Sequence, residues 1–151
     1  MNLSLRKIIA GTVRKIANLI VASDQERFVA SNAESFAEAL FNPEAWYRAI
    51  YLDEEPVGFV MLYDESLQSP PPIKPKIELW RFMIDERFQG QGVGRKALEQ
   101  VIAHVKSKRM FSSLFTSYVP GAGSPESFYL DFGFAPTGEI EDGEIELELF
   151  F

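Results

Sequence analysis

"DERFQGQGVGRKAL", residues 85–98, sets three glycines on alternate positions, Gly90, Gly92 and Gly94, between a stretch patterned as a strand and one patterned as a helix. Ahead of it, "IELWRFMI" (Ile77 to Ile84) is almost continuously apolar and reads as a strand buried on both faces. Behind it, Val93, Ala97, Leu98, Val101, Ile102 and Val105 recur at helical spacing and mark a long helix. A strand, a glycine-rich turn and a helix start make an anion site, because amide N–H groups point outward there and the helix dipole favours negative charge. A phosphate-bearing ligand suits such a turn. Two familiar phosphate loops fit it badly. GxxxxGK[ST] needs Lys then Ser or Thr, whereas Gly94 is followed by Arg95-Lys96-Ala97. Gly92-x-Gly94-x-x-Ala97 formally matches the dinucleotide fingerprint, but the ribose-binding acidic residue expected about 20 residues on is missing from "FSSLFTSYV". A turn that merely ends a strand is the plain alternative.

Outward from this segment the pattern alternates strands and helices. Leu3 to Ile8 reads as a first strand, and Val13, Ile16, Ala17, Ile20 and Val21 as an amphipathic helix. "SNAESFAEAL" (Ser31 to Leu40) is a second helical piece with Ser31 or Asn32 as N-cap. "AWYRAIYLDEEPVGFVMLYDE" is a hairpin turning at Asp53 to Pro56. The four prolines of Ser66 to Lys76 lack amide donors, which predicts a flexible surface loop. "MFSSLFTSYV" is another strand, and "SPESFYLDF" a short helix capped by Ser124 with Pro125 at its first position. The end of the chain forms a hairpin around Asp142-Gly143. No repeat or linker divides the chain, so residues 1–151 are expected to be a single domain of α/β class with a mixed sheet.

Composition removes much chemistry. The chain has no cysteine and one histidine, His104, which excludes disulfides, thiolate nucleophiles, a Cys-type or His-based metal site and a Ser-His-Asp triad. His104 falls on the long helix away from the glycines and is expected to be structural. A net charge of -7 disfavours nucleic acid and anionic lipid and favours a cationic substrate. No apolar run reaches the ~18 residues a membrane span needs, and the N-terminus lacks an export signal, so a soluble cytoplasmic protein is expected.

Gln89-Gly90-Gln91-Gly92-Val93-Gly94 is a Q/R-x-x-G-x-G/A signature, and here the sequence resembles the GNAT superfamily of acetyl-coenzyme A dependent N-acetyltransferases. The resemblance covers essentially the whole chain, since the element order is that of the family. It implies a GNAT fold, a mixed, mostly antiparallel twisted sheet flanked by helices. It also implies acetyl-CoA as cosubstrate, with pyrophosphate contacts from Gln89, Gly90, Gln91, Gly92, Val93, Gly94 and Arg95. The strand before the turn would splay at a bulge and offer the backbone of Phe82, Met83 and Ile84 to the pantetheine arm. "SFYLDFGF" resembles the family's LYxxxGF element, which makes Tyr129 a coenzyme contact and the candidate general acid for the departing sulfur. The plainer reading of Phe128, Tyr129 and Phe132 is an aromatic packing stripe. Where many relatives carry an Asn that contacts the coenzyme, this chain has Ala122.

An amine acceptor must lose a proton before it attacks, because its pKa is about 10.4. Glu78 stands where the histone-acetylating branch carries a glutamate base, and strict alternation would put Glu78, Trp80, Phe82 and Ile84 on one face. A strand-edge glutamate with a water relay is the alternative. "QERFVASNAESFAEA" and the segments after it resemble the bacterial polyamine (spermidine/spermine, diamine) acetyltransferase group. That resemblance makes a small cationic amine the expected partner, with Asp24, Glu26, Glu34 and Trp80 as substrate contacts, and a homodimer the expected assembly. An aminoglycoside, amino acid or protein amine is the other acceptor class, and a non-catalytic acetyl-CoA-sensing module the other function.

Overall fold

The computed structural model describes residues 2–151. Seven strands form one sheet in the order β1-β2-β3-β4-β5-β7-β6. They are β1 (Leu3–Arg6), β2 (Ala45–Leu52), β3 (Glu55–Asp64), β4 (Ile77–Ile84), β5 (Ser113–Tyr118), β6 (Ala135–Glu141) and β7 (Glu144–Phe150). Every neighbouring pair is antiparallel except β4 and β5. The helices are α1 (Val13–Ala17), α2 (Asn32–Ala39), α3 (Val93–Ser107) and α4 (Glu126–Phe132). The order of strands and helices is the one that periodicity predicts, and none of the described helices is long and apolar enough to cross a membrane.

The sheet separates two apolar cores. One gathers Val93, Ala97, Leu98, Val101, Ile102 and Val105 of α3 against Ile50, Val60, Leu62, Leu79, Leu114 and Leu147, with Tyr129 and Phe134 at its edge. The other seats Ile16 and Leu19 on Phe59, Met61 and Met83, with Phe36 and Trp80 packed around them. Burying each of these large side chains contributes roughly 1.5–3 kcal/mol, so the α3 stripe alone secures the helix that starts at the glycine turn. His104 stacks on Trp46 with ring centroids 4.0 Å apart, a structural placement. The Asp142-Gly143 turn has φ of 50° and 78°, the left-handed pair that a two-residue hairpin needs.

Local differences from the sequence reading have visible causes. The first strand stops at Arg6, not Ile8, where the guanidinium pairs with Glu54 at 3.1 Å. The first helix ends at Ala17, short of Val21, because the backbone of Ile20 is spent elsewhere: its N–H donates to Asp85 Oδ2 at 3.1 Å and its carbonyl accepts from Glu86 N at 2.8 Å. Ser31 is the N-cap of α2, its hydroxyl accepting from Glu34 N at 3.1 Å. Pro125, not Ser124, is the N-cap of α4, although Ser124 Oγ still accepts from Glu126 N at 3.2 Å. The ends of the proline loop are clamped, with Lys76 N donating to Glu65 Oε1 at 2.6 Å and Glu65 N to Lys76 O at 3.1 Å.

Strict alternation fails inside β4. Met61 pairs with Arg81 and Leu62 with Leu79, which leaves Trp80 as an extra residue, a β-bulge. Ile77 and Leu79 before it, and Phe82 and Ile84 after it, all pack on the α3 side, whereas Trp80 and Met83 pack on the α1–α2 side. Glu78 and Trp80 therefore share one face, and Phe82 and Ile84 lie on the other.

Candidate active site at the parting of β4 and β5

β4 and β5 pair only at Glu78↔Phe115 and Leu79↔Thr116, and beyond that rung the strands part. The bulge at Trp80 turns β4 away at the same level. The edge of β4 from Trp80 to Ile84 thus faces a cleft instead of a neighbouring strand. The cleft holds about 1180 Å³ and runs from the glycine turn, past α4, to the segment before α2.

The floor near the glycines is rigidly built. Asp85 is buried and caps the short 3₁₀ turn Glu86–Phe88, its Oδ1 accepting from Arg87 N at 3.1 Å and Arg87 Nε at 2.8 Å. Burial acts to raise its carboxyl pKa, but the Arg87 side-chain and backbone hydrogen bonds and the Ile20 N–H outweigh that and hold it below the ordinary aspartate value. Gly90 and Gly92 then adopt φ of +74° and +80°, and a Cβ added to either would meet nothing within 4 Å. No packing contact demands those glycines; the left-handed backbone does, and it leaves amides open at the α3 N-terminus. Gly90, Gly92, Gly94 and Arg95 line the cleft with Gln89. Gln91 and Val93 do not: Gln91 is exposed, with its Nε2 donating to Arg87 O at 3.3 Å, and the Val93 side chain is in the core. These two residues have only backbone amides to offer a ligand. The Gln89 side chain is already engaged, its Nε2 donating to Gln25 Oε1 and Ile84 O, each at 2.8 Å.

Tyr129 enters from α4. Its ring packs at 5.5 Å from those of Phe128 and Phe134 in edge geometry, so the aromatic stripe exists, and the tyrosine lines the cleft as well. Burial pushes its phenol up to about 12, partly opposed by the nearby Thr116 hydroxyl. A phenol held so high stays protonated and serves as a donor, never as a base. Phe82 stacks on Phe128 at 6.0 Å across the parting.

Glu78 lies at the other end, and its carboxyl pKa is raised, chiefly by burial. Lys76 opposes the rise, and Glu146, Glu144 and Glu141 add to it. Trp80 lines the cleft beside it and meets Tyr63 edge-on at 5.6 Å. Glu26 and Glu34 line the facing wall, in the 3₁₀ segment Ser23–Phe28 and the first turn of α2. Asp24 is not part of the lining; it packs on the turn after β5, where a Cβ on Gly123 would lie 2.6 Å from Asp24 O. Ala122 offers only backbone at its position, and its carbonyl accepts from Arg27 Nη2 at 3.3 Å.

Sequence reasoning missed Gln25, Thr116 and Glu144, which line the cleft with Arg81. Arg81 pairs with Glu38 at 3.0 Å and donates to Trp80 O at 3.2 Å, which props the bulge from the α2 side. Glu144 and Thr116 come from strands placed by the sheet order, and no local pattern announces them.

Residues 13–134 match the model of the acetyltransferase (GNAT) family. The spermine/spermidine N(1)-acetyltransferase of Bacillus subtilis (strain 168) is 28% identical, the match covering 93% of each chain. A probable spermine N(1)-acetyltransferase of Bacillus subtilis subsp. natto is 27% identical over the same shares. Among solved structures, the PaiA N-acetyltransferase of Thermoplasma acidophilum in complex with coenzyme A superposes with a TM-score of 0.68 at 16% identity, covering 100% of both chains. A GNAT family acetyltransferase from Elizabethkingia anophelis with acetyl-CoA bound gives 0.64 at 22% identity, covering 99% of each chain. The two structures share this fold.

Proposed function

The chain belongs to the acetyltransferase (GNAT) family and is an acetyl-CoA-dependent N-acetyltransferase, and we propose that it acetylates a polyamine such as spermidine or spermine. The observation that carries this acceptor is the distribution of charge in the cleft. Glu26, Glu34, Glu78 and Glu144 line one continuous cavity with Tyr129 and the glycine turn, and a linear polycation can be held there at more than one ammonium. The names of the two Bacillus relatives point the same way.

In this reading the open amides from Gly90 to Gly94 hold the pyrophosphate, and the free β4 edge at Phe82, Met83 and Ile84 holds the pantetheine arm. Fixing both ends sets the thioester beside Tyr129, which converts a bimolecular encounter into an oriented one. Glu78, directly or through water, takes a proton from the ammonium. The neutral nitrogen attacks the thioester carbonyl carbon, the C–S bond breaks, and the sulfur leaves with the electron pair. Tyr129 donates its hydrogen to that sulfur, and the second proton, shed by the acylated nitrogen as the amide forms, returns to the phenolate directly or through water. A free thiol has a pKa of about 8.5, and the same burial that raises Tyr129 raises a thiol in the cleft, which narrows the gap the proton must cross. The single-domain, homodimeric and cytoplasmic expectations accompany this proposal.

The direct test is release of coenzyme A thiol from acetyl-CoA, read with a thiol-specific dye to which this cysteine-free protein contributes no background. Spermidine, spermine, putrescine, aminoglycosides, amino acids and a lysine peptide are compared. Release with spermidine or spermine at a kcat/KM at least tenfold above the other amines is expected. Equal or better turnover of an aminoglycoside, an amino acid or the peptide would overturn the polyamine acceptor while leaving the acetyltransferase activity in place.

A further inference from the structure

The 3₁₀ segment Ser23–Phe28 is fastened on both banks of the parted strands. On the β4 bank, Gln25 Oε1 accepts from Gln89 Nε2 at 2.8 Å, at the head of the glycine turn. On the β5 bank, Asp24 and Arg27, three residues apart and so on one side of a 3₁₀ turn, both meet the turn 120–124 that leads into α4. Arg27 Nη2 donates to Ala122 O at 3.3 Å. The approach is close enough to need glycine. A Cβ on Gly121 would lie 2.7 Å from Arg27 Nη2, and one on Gly123 2.6 Å from Asp24 O. Gln25, Glu26, Arg27 and Phe28 line the same cavity as the β4 edge and the end of β5, so the segment crosses the cleft as a strap.

The two fastenings differ in strength. The strap buries no side chain of its own and has no side-chain N-cap bond. Arg27 is exposed and makes no ion pair among the described residues; its guanidinium lies over the Phe28 ring at 4.4 Å and its hydrogen bond runs to a neutral carbonyl. The Gln25–Gln89 bond is shorter, and the same Gln89 amide is anchored again on Ile84 O at 2.8 Å. A segment with so few buried contacts opens at small cost, and it parts first at the weaker end. An arm laid along the free edge of β4, with a bulky nucleotide outside at the glycine turn, runs beneath this strap. We propose that the strap is a gate on the cosubstrate, latched by Arg27 on Ala122 and hinged at Gln25, whose opening sets how fast acetyl-CoA enters the cleft and coenzyme A leaves it. The inference rests on the reading that this cleft holds acetyl-CoA, and is independent of which amine is acetylated.

Two changes move the gate in opposite directions. Arg27→Met removes the latch while keeping the aliphatic bulk. Association and release of acetyl-CoA, read by surface plasmon resonance, are both expected to become about fivefold faster, the size of one lost hydrogen bond, with Kd and Tm little changed. Arg27→Cys with Ala122→Cys, joined by a short bismaleimide in a chain that has no other cysteine, shuts the gate. Acetyl-CoA, whose sulfur is blocked against the reagent, is expected to be retained through gel filtration when bound before coupling, and to associate at least about tenfold more slowly when added after it. The uncoupled double variant should exchange as fast as Arg27→Met. Unchanged rate constants in Arg27→Met overturn the gate. Free exchange through the coupled strap also overturns it, showing that the arm threads out lengthwise. Slower association with faster release in Arg27→Met, a difference that fades in high salt, overturns it as well, since it makes Arg27 a phosphate contact. A wild-type chain that does not bind acetyl-CoA removes the underlying reading and this inference together.

Discussion

Gln89 and Gln25 meet side chain to side chain, Gln89 Nε2 donating to Gln25 Oε1 at 2.8 Å while also reaching Ile84 O at 2.8 Å. One amide thus ties the end of β4 and the start of the glycine turn to the 3₁₀ segment Ser23–Phe28 that carries Glu26. The glycine end of the cleft and the wall that carries Glu26 are mechanically joined. Gln25→Ala is expected to raise KM for the amine severalfold with a smaller change for acetyl-CoA. Gln89→Ala, which also frees Ile84 O, is expected to raise both. Steady-state kinetics with each substrate varied in turn checks the pair.

The glycine turn offers a cleaner separation of backbone from packing. Gly90→Ala and Gly92→Ala meet no neighbour, so their cost is the left-handed φ, about 1–2 kcal/mol each. Relief of that strain by a backbone flip turns amides away from the cleft. A loss of acetyl-CoA affinity of at least tenfold by calorimetry is expected, together with a lowered Tm. An affinity unchanged in both variants would remove the turn from ligand binding.

Glu78 links rate and stability with opposite signs. Its folded pKa lies above the unfolded one, so it stabilises the fold fully below the unfolded value, and that contribution is lost as pH rises through the folded value. At neutral pH the ionised group is a burden on the fold. Glu78→Gln is therefore expected to raise Tm at pH 7, with the gain vanishing in acid. As the base, the same change is expected to lower kcat/KM about 100-fold. The acid limb of the wild-type profile should fall above the ordinary glutamate range, and Lys76→Met, which removes the opposing cation, should move that limb higher still.

Asp85 has the converse sign. Its folded pKa is depressed, so its contribution is present above the unfolded value and is lost as pH falls through the folded one. Asp85→Asn is expected to cost about 1.5–3 kcal/mol at neutral pH, since it weakens hydrogen bonds from Ile20 N, Arg87 N and Arg87 Nε to a charged acceptor. The deficit against wild type should shrink in acid. Urea titrations across pH read it directly.

Glu34 tests the charge of the acceptor wall. It sits in the first turn of α2, where losing its charge costs about 0.5 kcal/mol through the helix dipole. Glu34→Gln and Glu26→Gln are expected to raise KM for spermine more than for a monoamine, with kcat held, and the difference should fade in high salt. Equal effects on both amines would place the two carboxylates outside acceptor recognition.

The order of elements was legible because each helix carries its own apolar stripe and each turn its own chemistry, as at Ser31 and Asp142-Gly143. The glycine turn was legible from its own short spacing, and Tyr129 through the resemblance of "SFYLDFGF" to a family element. Ends and faces were not. Asp85, just past the end of β4, holds the chain that follows α1 through a hydrogen bond that spans 65 positions of sequence. Thr116 and Glu144 reach the cleft through strand order, which periodicity does not encode. Asp24 has the right charge for the acceptor wall, but its side chain packs against the Gly123 turn.

The extra residue in β4 makes this strand two phases of one zipper. Counting by twos from Ile84 back to Glu78 crosses the change of phase, so spacing rules for β4 hold separately for Ile77–Leu79 and for Arg81–Ile84. Shortening the chain by Trp80 alone would bring the two halves into step. It would leave Glu78 and Ile84 each on its present face, and would let β4 run on beside β5 with no gap between them. A single-codon deletion there would convert a parted strand pair into an unbroken piece of sheet.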